Sequence, residues 1–366
     1  MDLDFSEEQV MLRDSVRRIC ENQFDDKAVR SLEADHDKFN RLFWDELGTS
    51  GICALRISEA YGGAGMSSLD LAIVFEEFGR TLASSPFLQS CVLASGIIAT
   101  RGGNAIRSGC LPGLASGKLI VVPAWQEIDQ DGAPKSIVIE QDRGIVTGQK
   151  VLVPFASIAD AFLVRCSIAV GDCWVLVPAD AAGISISPMP NYASQPLFAV
   201  SFDNVKIDKE RIFPASTTQD PVFEADADGL IAAAAEAVGA TDRLLALTID
   251  YANQRNQFGR PLAAFQAISH PLADCATELE GVRHLVYQAA WASDTGSECS
   301  HLAQMAKLQA CSLLRRLATT SIQIHGGIGY SLAGQPQLFY RRSKYHELMN
   351  GSADQLKQRI ADRILA

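Results

Sequence analysis

The chain has 366 residues, enough for two or three domains with a sizeable core and too many for a peptide or a disulfide scaffold. At 48% hydrophobic and 20% charged it has the composition of an ordinary folded protein, which excludes disordered and collagen-like chains. With 32 Lys and Arg against 43 Asp and Glu, the net charge of −11 gives no global attraction to nucleic acid or an anionic membrane, and neither is expected as a partner.

Nine cysteines without a C-x-x-C pair, and odd in number, resist a closed disulfide framework and read as reduced, buried apolar residues; no metal site is expected. The start M-D-L-D-F-S-E-E-Q is acidic where a targeting signal would be basic, and the uncharged runs that reach the roughly 20 residues needed to cross a bilayer, 81–100 and 181–202, are broken by Ser, Gln and Pro. The expectation is a cytoplasmic protein without membrane insertion.

Along the chain, Ser6 followed by Glu7, Glu8 and Gln9 predicts a capped helix start, with Val10, Leu12, Val16 and Ile19 at helical spacing. The run E-A-Y-G-G-A-G-M-S-S-L-D at 59–70 places a glycine-rich turn before a helix carrying Leu71, Val74, Phe75 and Phe78, predicted to end near Gly79. Another helix follows over 88–98. Near residue 118 the period changes to short β-branched runs at 119–122, 137–139, 145–152, 161–164, 174–177 and 199–207, separated by Gly, Pro and Asp turns. From Asp226 the chain is alanine-rich and helical, and further helices are predicted over 269–294, 301–324 and from 355 to the end. The fold class is α+β multidomain: an N-terminal helical domain (1–117), a middle antiparallel β-domain (118–220) and a C-terminal four-helix bundle (221–366).

G-G-A-G at 62–65 and G-G-I-G-Y at 326–330 lack the third glycine of a dinucleotide fingerprint and follow no clear strand, so neither is a Rossmann turn. On spacing alone they are helix-linking turns. R-N-Q-F-G-R-P-L-A-A-F-Q at 255–266 offers a planar guanidinium in Arg255, an aromatic face in Phe258, a break at Gly259 and an amide in Gln266. These parts suit an adenine dinucleotide held without a Rossmann fold. A helix hairpin with a solvated arginine explains the same spacing.

Taken together, the stretches resemble the acyl-CoA dehydrogenase family over essentially the whole chain. The resemblance is carried by E-A-Y-G-G-A-G with E-E-F-G-R at 76–80, T-G-Q-K-V-L-V-P at 147–154 followed by A-D-A-F-L-V, the 255–266 run, A-K-L at 306–308, and Q-I-H-G-G-I-G-Y at 323–330. It implies FAD bound across a dimer interface. Arg255 and Phe258 would contact the pyrophosphate and adenine half of a neighbouring subunit's FAD, with Gln266 near it. Gln323, Gly326, Gly327 and Gly329 would form a turn whose backbone approaches that cofactor closely. The isoalloxazine would rest against 124–127, where Trp125 offers a ring face and Gln126 stands at the position of a threonine that many members place against the flavin.

The departures concern the base. Desaturation of an acyl-CoA needs a carboxylate to remove the α-proton while flavin N5 takes the β-hydride. Many members place that Glu before the Gly-Thr or Gly-Ser beyond the glycine turn, and here the stretch is M-N-G-S, so Asn350 occupies the position. Others place it 26 residues before the motif arginine, which lands on Gly229. Asp228 is adjacent but about 100° away around the helix. Glu236, Glu347 and Asp354 read as structural or solvated charges.

The leading expectation is therefore an acyl-CoA substrate and a base-lacking subunit of a heteromeric dehydrogenase, a dimer or tetramer with a second acyl-CoA dehydrogenase-like chain supplying the Glu. The alternatives are a homomeric dehydrogenase with a displaced base such as Asp228, a flavin-dependent monooxygenase on the same fold, and a scaffold subunit without flavin.

Overall fold

The computed structural model describes residues 4–35, 37–127, 129–130, 133–134, 138–140, 144–168, 172–213 and 226–365. Ser6 opens α1 (Glu7–Gln23) with the reciprocal cap its sequence predicts: Gln9 N donates to its hydroxyl at 3.2 Å, and Ser6 N donates to Gln9 Oε1 at 3.1 Å. After α2 (Asp26–Ala34) and α3 (Arg41–Thr49), a second capping box, Ser67 with Asp70, starts α4 (Ser68–Thr81). The helix expected over 88–98 is a π-helical stretch, Leu88–Ala94, continued by α5 (Ser95–Arg101), and α6 (Asn104–Ala115) leads into the sheet.

The strands are β1 (Val121–Ala124), β2 (Asp129–Gln130), β3 (Ala133–Pro134), β4 (Val138–Glu140), β5 (Ile145–Pro154), β6 (Ala161–Ser167), β7 (Asp172–Pro178), β8 (Ile184–Pro188) and β9 (Leu197–Lys206). The main sheet runs β1-β6-β4-β5-β9-β8, with β7 pairing β6, while β2 and β3 form a separate small ribbon. The middle region is predominantly antiparallel, as its strand spacing predicts. The pairs β1·β6 and β4·β6 run parallel, because the long connection from β1 to β6 allows the chain to return in the same direction. Residue 137, at the start of an expected strand, and the expected boundary at 220 lie outside the described residues.

The C-terminal region comprises α7 (Asp226–Gln254), a tight hairpin of β10 (Asn256–Gln257) and β11 (Arg260–Pro261), α8 (Gln266–Asp294), α9 (Ser300–His325), α10 (Gly327–Tyr330), α11 (Pro336–Leu348) and α12 (Ala353–Leu365). Sequence periodicity missed α11. Its buried residues include Gln337, Arg342, Ser343 and His346, so it shows no clean apolar stripe. Pro336 at its first turn was the available signal. In chain order the architecture is helical, β and helical. Among the described residues no helix is long and apolar enough to cross a membrane, and all nine cysteines are free thiols.

Contacts divide the chain into two compact units, one from residues 1–31, 67–83 and 227–366, the other from 32–66 and 84–226. The second unit has a core of Ile97, Ile98, Leu111, Leu114, Val121, Leu163, Trp174, Leu176 and Phe213. Ser90 Oγ accepts from Val121 N at 3.1 Å, and Asp160 accepts from Ile120 N at 2.7 Å, fixing the entry into β1.

The first unit is built on α7, whose buried Ala232, Ala233, Ala234, Ala235, Ala237 and Ala240 allow close helix packing. Against it lies α4, at backbone contact. A Cβ on Gly79 would fall 1.9 Å from Glu236 O, and one on Gly239 would fall 1.8 Å from Glu76 O. α4 ends at Thr81, near Gly79 as expected, but Gly79 itself sits inside the helix because α7 leaves no room for a side chain, and the chain turns left-handed at Leu82 (φ 54°). Charges surround this contact. Arg17 forks onto Glu77 at 2.7 and 2.9 Å, while Arg283 (3.0 Å) and the Tyr287 hydroxyl (2.7 Å) both donate to Glu76. Asp242 on α7 is shared by Arg80 and Arg283.

Because the neighbour at Gly79 is helix backbone rather than a movable side chain, Gly79→Ala should destabilise the protein by about 3 kcal/mol or more. A urea midpoint within error of wild type would show that α4 and α7 can separate at little cost.

Candidate functional site

The end of the bundle in the first unit gathers two of the sequence-predicted segments. Tyr251, one turn before Arg255, stacks on His325 with ring centroids 4.1 Å apart, and its hydroxyl donates to His325 O at 3.4 Å. The exits of α7 and α9 are thereby joined. His325 Nδ1 lies 2.8 Å from Ser321 O, and burial lowers its pKa, so the ring is neutral at physiological pH. The glycine turn follows directly.

Within that turn the glycines divide. Gly326 has φ 61°, and a Cβ at Gly326 or Gly327 would meet nothing within 4 Å, leaving open backbone that a ligand can approach. At Gly329 a Cβ would lie 2.9 Å from both His325 Cβ and Ile322 O, so this glycine is required by the chain's own packing. Gln323 is exposed.

In the hairpin, Phe258 is held in a left-handed conformation (φ 53°) beside Gly259 (φ 81°), and the residue is 92% exposed. Phe265 meets it edge-on at 6.1 Å and carries the Arg260 guanidinium 4.1 Å above its own face. Arg255 is exposed, and among the described residues its guanidinium has no ion-pair or hydrogen-bond partner; Gln266, at the first position of α8, is exposed as well. An unpaired cation, an uncovered aromatic ring and open glycine backbone fit the phosphate and adenine half of a dinucleotide.

The two base positions are otherwise engaged. Asn350 lies in the turn between α11 and α12 with φ 56°, followed by Gly351 at φ 96°. Asparagine is among the few residues that tolerate this left-handed region. The buried Lys307 of α9 donates to Gly351 O, and Ser352 and Gln355 cap α12 reciprocally. Gly229 is buried in the first turn of α7. Beside it, Asp228 accepts a hydrogen bond from Ser68 Oγ at 2.7 Å, while Asp294 accepts from Ser68 N at 2.6 Å and Leu69 N at 3.2 Å, capping α4. Glu347 pairs with Arg315 and Lys344, which hold its carboxyl below the ordinary range although its burial acts the other way. Asp354 is 97% exposed.

Glu236 is different from the solvated or structural charge expected. It stands two turns beyond Gly229 on the same face of α7, 18% exposed, with Oε1 3.9 Å from His346 Nε2. Burial raises its carboxyl to about 7 against the opposing charge of Arg342. Burial, with the charges of Arg342 and Lys307, pushes His346 down to about 3. The low apolar content of α11 concealed this cluster in the sequence.

In the second unit, Trp125 and Gln126 follow β1, both half-buried. Trp125 packs edge-on against Trp174 at 6.4 Å, and Gln126 O accepts from Val151 N at 2.9 Å. Lys150, only 1% exposed, pairs with Glu127.

Comparison with known proteins places the whole chain in one group. The family model described as acyl-CoA dehydrogenase, N-terminal domain, matches residues 6–118, and that described as acyl-CoA dehydrogenase, C-terminal domain, matches 229–365. The chain is 28% identical over 339 residues to acyl-CoA dehydrogenase FadE27 of Mycobacterium tuberculosis, covering 90% of each chain. It superposes with a TM-score of 0.92 on a chain of the ChsE4-ChsE5 complex from Mycobacterium tuberculosis, at 26% identity, covering 100% of this chain and 99% of that one. A variant of the Tcur3481-Tcur3483 steroid ACAD gives a TM-score of 0.88 at 28% identity, with 98% of each chain covered.

The Glu236 cluster sets a pH dependence. Glu236 holds its proton to about 7 in the folded chain against an ordinary value of 4.5, so stability falls as pH rises from 4.5 through 7. Glu236→Gln should abolish that decline and, matched with wild type near pH 4, exceed it at pH 8 by on the order of 1–3 kcal/mol. Urea midpoints across this range measure it; parallel curves for the two proteins would place Glu236 in contact with solvent.

Proposed function

The chain belongs to the acyl-CoA dehydrogenase family, and from that premise we propose that it is the base-lacking subunit of a heteromeric acyl-CoA dehydrogenase. The activity is FAD-dependent α,β-desaturation of a CoA thioester, with a partner chain of the same family supplying the catalytic carboxylate. FAD, when bound, accepts the β-hydride.

The observation that carries this reading is the pair of vacant base positions together with the engagement of the nearest substitute. Asn350 has an amide that cannot take up the α-proton, and Gly229 has no side chain. Asp228 is held by Ser68, which argues against its use as a displaced base. The exposed guanidinium of Arg255, without a partner among the described residues, and the exposed Phe258 ring support a cofactor contact completed by another subunit. They stand at the opposite end of α7 from Gly229, about 39 Å away at 1.5 Å per residue. One helix would thus serve two sites of an oligomer, a dimer or tetramer. The similarity to chains of two named pairs, one of them called a steroid ACAD, supports the heteromer and a bulky acyl group.

General-base catalysis contributes about 10²- to 10⁴-fold, so the isolated chain should bleach flavin with acyl-CoA slower by that factor than the paired enzyme. Asn350→Glu should raise anaerobic bleaching if this chain's own pocket is otherwise complete, at a cost of about 1–2 kcal/mol for a left-handed glutamate. Isolated wild-type chain turning over at ordinary rates, and silenced by Asp228→Asn, would overturn the proposal in favour of a relocated base.

Arg255→Ala should weaken FAD retention by about tenfold, in the range of a charge-assisted hydrogen bond of 1.5–3 kcal/mol. Unchanged flavin content after gel filtration would put this arginine outside the cofactor site.

A further inference from the structure

The second unit contains a buried ion pair for which the proposed reaction has no use. Lys150 lies in β5 with 1% exposure, and Glu127 lies three residues beyond the end of β1. Burying two charges is costly, and such pairs rarely persist on stability alone. What distinguishes this one is the segment it holds. Lys150 Nζ donates to Glu127 Oε1 and also to Trp125 O at 3.5 Å. Between these two residues, Gln126 O accepts from Val151 N at 2.9 Å. Three consecutive residues are thus each tied to β5 by one polar group.

The strand irregularity explains how this is possible. β1 pairs with β6 only as far as Ala124, so 125–127 lie beyond the parallel ladder. The β5·β9 register shifts between Lys150 and Val153, and Leu152 there has φ 51°. The bulge turns Val151 N–H away from β9 and toward Gln126. The inward polar groups of the segment are consumed, and the side chains of Trp125 and Gln126 are held on it half-buried.

We infer that Lys150 is a positioning residue for the flavin: through Glu127 and the Trp125 carbonyl it fixes the 125–127 segment as a rigid surface against which the isoalloxazine is set. The inference rests on the reading that this chain binds FAD. It assigns to Lys150 no contact with substrate or flavin.

Lys150→Met keeps most of the length of the side chain and removes its donors. In the full chain stripped of flavin, acrylamide quenching of Trp125, isolated by difference from Trp125→Phe, should rise by about twofold or more as the indole is released. On reconstitution, the FAD dissociation constant should rise by about tenfold or more, and at saturation the visible flavin band should shift from its wild-type position. Should the stranded Glu127 carboxylate prevent folding, Lys150→Met combined with Glu127→Gln removes it and is expected to show the same three changes. Wild-type quenching, affinity and band in either folded variant overturn the inference. So does a lowered melting temperature with wild-type FAD affinity and spectrum in the folded fraction, because the pair would then serve stability alone. A wild-type chain that takes up no FAD sinks the cofactor reading and the flavin role of Lys150 with it, whereas the quenching measurement separately decides whether Lys150 restrains the segment.

Discussion

The first unit depends on the backbone contact between α4 and α7. Gly79 and Gly239 face Glu236 O and Glu76 O at distances that admit no Cβ, so each helix supplies the glycine that the other's carbonyl requires. At that spacing the long side chains flanking the seam cannot all reach water. Glu76, Glu77, Asp242, Arg17, Arg80 and Arg283 are instead matched to one another around it. Such a network contributes less to net stability than its number of bonds suggests, because each charge is partly desolvated. Its consequence is geometric: α7 is held along its length, and with it the positions at its two ends.

The interior charges share a pattern. Among the described residues, Lys150 and Lys307 are buried to 1% exposure, and each donates to main-chain carbonyls of a segment without regular pairing: Trp125 in one case and Gly351 in the other. A lysine is suited to this, since three donors on a flexible stem can reach a carbonyl that no strand or helix satisfies. Glu236, Arg342 and His346 form a third interior group, in which burial keeps His346 neutral and raises the Glu236 carboxyl to about 7.

The residues at positions 350 and 229 have a local physical explanation. Position 350 is a left-handed turn pinned by Lys307, and asparagine relieves the strain that a longer side chain would carry there. The start of α7 is buried, and its nearest acid is bonded to the N-terminal turn of α4. Both positions are thus built into the packing of this chain.

The sequence by itself determined the succession of helical, β and helical regions, because capping residues, alternation and alanine-rich helical periods are local signals. Ser6 with Gln9 and the runs in 161–164 and 174–177 were legible for that reason. It also carried the motif residues of the candidate cofactor segments, since the hairpin at 255–266 and the turn at 326–330 are short and continuous. Tertiary structure alone decided that Gly79 is a helix contact, and that Gly329 serves the chain while Gly326 and Gly327 stand open. It decided that Glu236 is an interior acid, and it revealed α11, whose buried residues mix polar and apolar side chains. In each case the deciding quantity was the distance to an atom far away in sequence, to which periodicity and composition are blind.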